Sequence, residues 1–284
     1  MAMALTRSRH LHHFGGHTGA PWLHIGHANG FPPAVYAPLA ENLAPTYHVI
    51  GLGARPLWPD PPPPQSQTWH HLAADLIADL EALGTEGIIG VGHSLGGVTT
   101  LLAAVQRPNL FRSLVLLDPV LLPPRWLVFM RWMQRLRLPW QPPLVEGALR
   151  RRRSWPNRDA AYAYFAEKPL FAQWHIDALK AYVQHGTRSR PDGHVELIYP
   201  PEWEAHIFGS VPTDVWRFLP RLDTALPLLF VRGERSDTFR PEAQTHTARL
   251  LPQAKFAIVP GAGHMFPLER PAETAALIRA FVPW

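Results

Sequence analysis

Short apolar runs alternate with amphipathic stretches through the first 118 residues of the chain. A continuous apolar run bounded by turn-forming residues predicts a buried strand, whereas apolar residues three or four positions apart predict a helix. These patterns predict an edge strand at residues 9–14, strands at residues 22–25, 47–52, 88–91 and 114–118, and helices at residues 35–43, 69–83 and 98–106. Strands that alternate with helices favour the α/β class, with a mostly parallel central sheet flanked by helices.

This alternation stops at Pro119 and resumes at about residue 222. The intervening stretch predicts helices at residues 126–138, 144–153, 158–167 and 173–185, then a turn at Asp192-Gly193 between short extended segments. Beyond it, strands are predicted at residues 227–231 and 255–259, and helices at residues 242–251 and 272–281. The pattern therefore predicts a core formed by residues 1–119 and 220–284, and a mainly helical cap formed by residues 120–219.

The composition sets broad limits on the class of protein. Hydrophobic residues make up 46% of the 284 positions, which is enough for a sizeable core. The chain has no cysteine, which excludes disulfides and thiolate metal sites. No apolar run approaches the length of a membrane-spanning helix, and the segment from Met1 to Arg7 lacks the sustained apolar stretch of a secretory signal. A cytoplasmic location is therefore the expectation.

The formal net charge of +5 comes almost entirely from arginine, because only Lys168, Lys180 and Lys255 are lysines. Four of the arginines form the block Arg150–Arg153. No nucleic-acid-binding motif accompanies this block, and a basic run is most often a solvated helix face. The sequence therefore predicts no nucleic-acid partner.

One short segment carries the chemistry around which the other motifs are arranged. Gly92-His93-Ser94-Leu95-Gly96-Gly97 lies between the apolar run at 88–91 and the small-residue helix that begins at Val98. A strand, a G-x-S-x-G turn and a helix in this order predict a nucleophile elbow, in which a strained turn exposes the serine hydroxyl. The glycines relieve the crowding of the turn, and the helix N-terminus favours negative charge beside the serine.

A serine hydroxyl needs a base and an acid to act as a nucleophile at neutral pH. His264, in the loop between the last strand and the last helix, is the expected base. Asp237, at the end of the loop Gly233-Glu234-Arg235-Ser236-Asp237, is the expected acid, and it gives the chain order serine, aspartate, histidine. Two alternative acids are Asp118, which ends the strand predicted at 114–118, and Glu234, which lies in the same loop as Asp237.

A serine nucleophile attacking a carbonyl carbon also needs two donors for the oxyanion that forms. The backbone N–H of Leu95, directly after the nucleophile, is the expected first donor. The second is expected from the turn that follows the strand at 22–25, with the N–H of Asn29 preferred and that of Phe31 as the alternative.

These segments, taken in order, resemble the α/β-hydrolase family with a helical cap. The resemblance rests on Gly-His-Ser-Leu-Gly-Gly at 92–97, Gly-Glu-Arg-Ser-Asp at 233–237 and Gly-Ala-Gly-His-Met-Phe-Pro-Leu-Glu-Arg-Pro at 261–271. His27-Ala28-Asn29 stands where the family usually has His-Gly-X, and Tyr36 follows at the usual distance of an aromatic residue, which favours Asn29 as the oxyanion donor. The resemblance covers residues 20–118 and 220–284, whereas the cap matches only loosely.

The sequence departs from the family's pattern at three places. About 20 residues precede the strand at 22–25, so the usual N-terminal hairpin is expected to be short or to lack its first strand. Alanine at position 28 replaces the usual glycine, and the segment Gly51-Leu52-Gly53-Ala54-Arg55-Pro56 replaces the family's Asp-x-Arg-Gly-x-Gly. The resemblance implies a serine hydrolase that acts on carboxylic esters with apolar or moderate-size acyl groups through an acyl-enzyme. Ser94 speaks against the epoxide hydrolases and haloalkane dehalogenases of this fold, which use aspartate as the nucleophile.

Several other activities use the same machinery and remain open. They are hydrolysis of a lactone, a thioester or a carbon–carbon bond, a cofactor-free lyase or peroxidase reaction, and a non-catalytic role as a small-molecule receptor. No cofactor and no metal are expected, and the expected partner is a small-molecule ester.

The aromatic residues 126–133 of the cap, interleaved with arginines, have three interpretations: they line an acyl pocket, contact a lipid surface, or pack the cap on the core with the arginine stems covering apolar surface.

Overall fold

A computed structural model describes residues 10–136 and 142–282. The predictions that fall on Met1 to Arg7 and on the end of the helix at 126–138 therefore lie partly or wholly outside the described residues. The strands within the described ranges are β1 (Leu11–Gly15), β2 (Trp22–Gly26), β3 (His48–Leu52), β4 (Ile88–His93), β5 (Phe111–Leu117), β6 (Ser154–Trp155), β7 (Thr187–Ser189), β8 (Val195–Leu197), β9 (Leu228–Gly233) and β10 (Lys255–Val259).

Seven of these strands form the central sheet, in the order β1-β3-β2-β4-β5-β9-β10. The edge strand β1 is antiparallel to β3, and every other neighbouring pair is parallel. The carboxyl ends of the parallel strands consequently meet at one edge of the sheet, where ligand sites of open α/β sheets form. The mostly parallel sheet predicted from the sequence is confirmed.

Helices cover the sheet and build the insertion. In chain order they are α1 (Ala37–Leu43), α2 (Trp69–Ala82), α3 (Leu95–Gln106), α4 (Pro124–Arg135), α5 (Pro143–Leu149), α6 (Arg158–Ala166), α7 (Ile176–Gly186), α8 (Pro201–Gly209), α9 (Pro241–Leu250), α10 (Phe266–Glu269) and α11 (Pro271–Phe281). Thr68 caps α2 as its sequence suggests, because its hydroxyl accepts from the backbone N–H of His71. No helix in the described part of the chain is long and apolar enough to cross a bilayer.

The core lies on both faces of the sheet because side chains alternate along each strand. In β5, Val115 and Leu117 belong to one buried cluster, and Leu114 and Leu116 belong to the cluster on the opposite face. All four side chains are fully buried. This burial on both faces explains why the sequences of such strands are continuous apolar runs.

The insertion between β5 and β9 combines helices α4 to α8 with a small antiparallel sheet of β6, β8 and β7. The turn at Asp192-Gly193 joins β7 to β8, and Gly193 adopts a φ of +84° that favours glycine. The helix expected at 144–153 ends at Leu149, because Ser154 and Trp155 pair with β8. Helix α8 is not among the elements predicted from the pattern.

Candidate active site

Ser94 occupies a strained turn between β4 and α3. Its φ of 57° and ψ of −115° lie outside the regions that a serine ordinarily adopts. The two flanking glycines are required by contact: a Cβ on Gly92 would collide with the carbonyl oxygen of Gly96, and a Cβ on Gly96 would collide with that of Gly26. This is the geometry of a nucleophile elbow, which presents the Ser94 hydroxyl at the carboxyl edge of the sheet.

His264 lies within hydrogen-bond reach of the Ser94 hydroxyl. The distance from His264 Nε2 to Ser94 Oγ is 3.0 Å, and the histidine follows β10 in the loop before α10. The side chain of His264 is 24% exposed, and Ser94 is 7% exposed. The structure therefore brings together the serine and the histidine that the sequence proposes as nucleophile and base.

The acid that faces His264 is Asp118, not Asp237. Asp118 Oδ2 lies 2.6 Å from His264 Nδ1, and Asp118 is fully buried directly after β5. Its φ of 45° turns the chain sharply at the end of the strand. Two further donors hold its carboxylate: the backbone N–H of Gly233 at 3.3 Å and the hydroxyl of Ser236.

The expectation that Asp237 contacts His264 is corrected by this geometry. Asp237 is exposed, and its carboxylate lies 3.5 Å from the hydroxyl of Thr238. Ser236, one residue earlier, is the part of this loop that turns inward and reaches Asp118. Glu234 is also exposed, and it accepts the backbone N–H of Gly261 at 2.6 Å. Asp118, the alternative acid, thus occupies the place expected for Asp237.

The turn after β2 lies against the elbow. The N–H of Gly96 donates to the carbonyl of His27 at 3.1 Å, which fixes this turn beside the first turn of α3. The N–H of Phe31 donates to the carbonyl of Ala28 at 3.4 Å and is thereby used within the turn. In the described part of the chain, the backbone N–H groups of Asn29 and Leu95 have no such acceptor. This difference favours Asn29 over Phe31 as the second oxyanion donor.

The Asn29 side chain is held by the cap. Its Nδ2 donates to the backbone carbonyl of Glu204, and its Oδ1 accepts from the hydroxyl of Tyr199, each at 2.9 Å. The Glu204 carboxylate forms a salt bridge with Arg151, although burial raises the pKa of this carboxyl. Gly30 has a φ of +86°, and a Cβ there would lie 2.8 Å from Glu204 Oε1. The cap therefore fixes both the side chain of Asn29 and the backbone beside it.

A buried hydrogen-bond chain connects this turn to the histidine loop. The N–H of Ala28 donates to the Tyr36 hydroxyl at 3.0 Å, and that hydroxyl lies 2.6 Å from His93 Nδ1. His93 Nε2 lies 2.9 Å from the carbonyl oxygen of His264. Burial holds the pKa of His93 well below its usual range, so the ring is neutral. A single tautomer satisfies every contact: Nε2–H donates to His264, and Nδ1 accepts from Tyr36.

Sequence reasoning missed several residues of this site. Ser236 lies in the loop whose aspartate the sequence proposes as the acid. His93 lies within the elbow motif, where its hydrogen bonds have no sequence signal. Tyr199 and Glu204 lie in the loosely matching cap, where the sequence predicts no site residue. The spacing from His27 to Tyr36 was the one available signal for a tyrosine beneath the turn.

Within residues 10–136 and 142–282, no group of three or more histidine, aspartate and glutamate side chains could hold a metal ion. In this α/β fold, a histidine joins a serine at a nucleophile elbow to a buried aspartate. The model of the alpha/beta hydrolase family matches residues 11–277, and the chain belongs to this family.

Curated relatives with different activities are similar to this chain. It is 25% identical to the 2-(acetamidomethylene)succinate hydrolase of Mesorhizobium japonicum over 88% of this chain and 83% of that protein. It is also 25% identical to the sn-1-specific diacylglycerol lipase ABHD11 of Mus musculus, over 78% of this chain and 68% of the lipase. A solved structure of E-2-(acetamidomethylene)succinate hydrolase matches with a TM-score of 0.76 and 23% identity, covering 96% of this chain and 94% of that one.

Proposed function

We propose that the protein is a serine hydrolase of carboxylic esters that works through an acyl-enzyme. The observation that carries the proposal is His264, whose two ring nitrogens lie 3.0 Å from the Ser94 hydroxyl and 2.6 Å from the Asp118 carboxylate. A histidine placed in this way can take the serine proton while the aspartate fixes its tautomer and stabilises the imidazolium. Membership of the alpha/beta hydrolase family supports the same reaction class.

In the proposed reaction, Ser94 Oγ attacks the ester carbonyl carbon, and its proton passes to His264 Nε2. The tetrahedral intermediate then collapses, and the alcohol leaves with the proton held by His264. A water molecule next attacks the acyl group on Ser94, with His264 again taking the proton. The acid is released, and the proton returns to Ser94. Asp118 continues to accept from His264 Nδ1 throughout.

Two backbone N–H groups are proposed to stabilise the negative oxygen of the intermediate. Leu95 offers its N–H at the first position of α3, where the helix dipole also favours negative charge. Asn29 offers the second N–H from a turn that the cap and the elbow hold on both sides. A pre-organised pair of donors does not need to reorient during the reaction, and each contributes about 3 kcal/mol to the transition state.

The surroundings of this turn favour an apolar substrate. Phe31 lies 5.3 Å from Trp174 and 5.4 Å from Tyr182, measured between ring centroids. All three side chains are buried in one cluster that joins the cap to the core. An uncharged acyl group gains by burial among such rings, whereas a charged one loses its hydration. We therefore expect esters of apolar acids to be preferred.

The decisive experiment measures hydrolysis of p-nitrophenyl esters from acetate to laurate. The expected result is activity that peaks at one chain length and is abolished in Ser94→Ala. Ser189→Ala, at an exposed serine of β7, is the matched control and should keep wild-type activity. Mass spectrometry of the enzyme after a fluorophosphonate reaction should place the label on Ser94.

If no ester is hydrolysed in a reaction that depends on Ser94, the proposal of an ester hydrolase is wrong and its alternatives are tested next. Lactones, thioesters, amides and carbon–carbon substrates would then be tested with the same Ser94→Ala control. The relatives justify this range, since one is named as a diacylglycerol lipase and another as a hydrolase of an acetamidomethylene compound. Loss of all Ser94-dependent chemistry, together with tight binding of a small apolar molecule, would favour a receptor.

A further inference from the structure

Helix α4 of the cap turns large apolar side chains towards solvent. Its inner face is held by Leu127 and Met130, which are 2% and 4% exposed. The opposite face and the residue that follows the helix carry an apolar stripe whose members are 40–66% exposed. The stripe consists of Val128, Phe129, Trp132 and Leu136. Because its members are open to solvent, the stripe does not serve as the lining of a closed acyl pocket.

The positive charge of the whole protein is concentrated in the same segment. Residues 120–153 contain eight arginines and a single acidic residue, Glu146, which is a net charge of +7. The complete chain has a net charge of only +5, so the remaining residues are slightly acidic in sum. Arg131 and Arg135 are exposed on α4, and among the described residues they have no carboxylate partner.

These two arginines also line a groove next to the stripe. The groove has a volume of about 480 Å³, and its lining consists of Arg131, Trp132, Arg135 and Thr213. A second hollow, of about 370 Å³, adjoins Arg131 and includes Arg217. Guanidinium groups beside an open hollow bind phosphate oxygens by charge-assisted hydrogen bonds.

From the exposed apolar stripe and the arginines that flank it, we propose that α4 docks the protein on an anionic lipid surface. The stripe enters the boundary between headgroups and acyl chains, and Arg131 and Arg135 contact lipid phosphates. An amphipathic helix with aromatic residues on one face and arginines beside them has the properties of an interfacial helix.

Other occupants fit these observations less well. A second copy of the chain would set two strongly positive helices against each other, which is unfavourable. A nucleic acid would match the arginines, and its bases could stack on Trp132, but the aliphatic Val128 and Leu136 would gain nothing from it. A lipid surface satisfies the charge and the apolar stripe together.

The test measures partitioning of the full chain onto vesicles of phosphatidylcholine alone and of phosphatidylcholine mixed with phosphatidylglycerol. Using Ser94→Ala throughout removes any hydrolysis, so the result does not depend on the proposed reaction. We expect binding to the mixed vesicles that weakens about 25-fold in the double variant Arg131→Gln/Arg135→Gln, at about fivefold for each arginine. Trp132→Ser should weaken binding about tenfold.

Matched controls come from exposed residues of the core. Arg249→Gln on α9 and Ile258→Ser on β10 remove one arginine and one apolar side chain and should leave partitioning unchanged. Bromine-labelled acyl chains should quench the tryptophan fluorescence of the protein with Trp132 more than that of the Trp132→Phe variant. The reason is that a Trp132 inserted in the lipid reaches the bromine.

Three results would overturn the proposal. The first is equal partitioning onto neutral and mixed vesicles, or equal weakening by the control variants. The second is concentration-dependent self-association that Trp132→Ser abolishes, without any vesicle binding. The third is binding of duplex or single-stranded nucleic acid, without vesicle binding, that the arginine variants weaken.

Discussion

Replacing Asp118 by asparagine tests the assignment of the triad acid directly. The carboxylate of Asp118 is fully buried, and Oδ2 accepts from His264 Nδ1 at 2.6 Å. An asparagine has almost the same shape, and its oxygen can still accept the N–H of Gly233. Its amide nitrogen, however, is a donor, so it favours the His264 tautomer that carries the proton on Nε2. In that tautomer the ring cannot take the proton of Ser94.

The expected loss is large because both the tautomer and the stabilisation of the imidazolium are removed. The same change in other serine triads lowers kcat about 10⁴-fold, which corresponds to about 5.4 kcal/mol of transition-state stabilisation. Asp237→Asn changes an exposed side chain, and we expect its kcat to stay within about twofold of wild type. The kcat values of Asp118→Asn and Asp237→Asn should therefore differ by several orders of magnitude.

The assay is steady-state hydrolysis of the best p-nitrophenyl ester, with thermal unfolding followed by circular dichroism. Comparable melting curves for the two variants would show that a loss of kcat does not reflect unfolding. The reasoning would be refuted if Asp118→Asn kept kcat within tenfold of wild type, or if Asp237→Asn lost as much as Asp118→Asn.

Three further predictions concern substitutions at single positions. Tyr36→Phe leaves the buried N–H of Ala28 and His93 Nδ1 without partners, so kcat should fall tenfold or more with little change in KM on the same ester. Gly96→Ala should prevent stable folding by its collision with Gly26, whereas Gly147→Ala, in open space on a helix, should raise stability by about 0.5–1 kcal/mol in urea unfolding. Burial raises the pKa of Asp79 to about 6 from an ordinary 3.8, so the folded state binds more protons between these values and loses stability as pH rises through them. At pH 7 the free energy of unfolding of Asp79→Asn should therefore exceed that of wild type by about 1 kcal/mol, a figure reduced for solvent screening. This difference should shrink as the pH falls and vanish only below the ordinary pKa of 3.8.

The central strands of the main sheet could be predicted from the sequence because they are buried on both faces. A continuous apolar run between helical patterns, such as Leu114–Leu117, predicts a buried strand. The bounds of the edge strand β10 also agree with its prediction at both ends. Helix α8 could not be found in this way. Its buried Trp203, Ala205 and Ile207 lie two positions apart, which is the spacing of a strand, because the helix is enclosed on several sides.

The acid of the site was harder to predict than the serine and the histidine. Gly92 and Gly96 make the elbow visible in the sequence, because crowding allows no other residue there. Nothing comparable separates Asp118 from Asp237, since both follow strands that end at the same edge of the sheet. Which carboxylate turns inward depends on the backbone after each strand, and the positive φ of Asp118 has no sequence signal.

Placing the acid on β5 couples the cap to the catalytic geometry. Asp118 is followed directly by the insertion, so the first residues of the cap are joined covalently to the partner of His264. The far end of the same insertion holds the proposed oxyanion turn, because Tyr199 and Glu204 bond to the side chain of Asn29. A displacement of the cap would therefore move two of the groups that surround Ser94. We expect changes in the cap to alter kcat as well as substrate affinity, because its contacts position the reacting groups in addition to covering them.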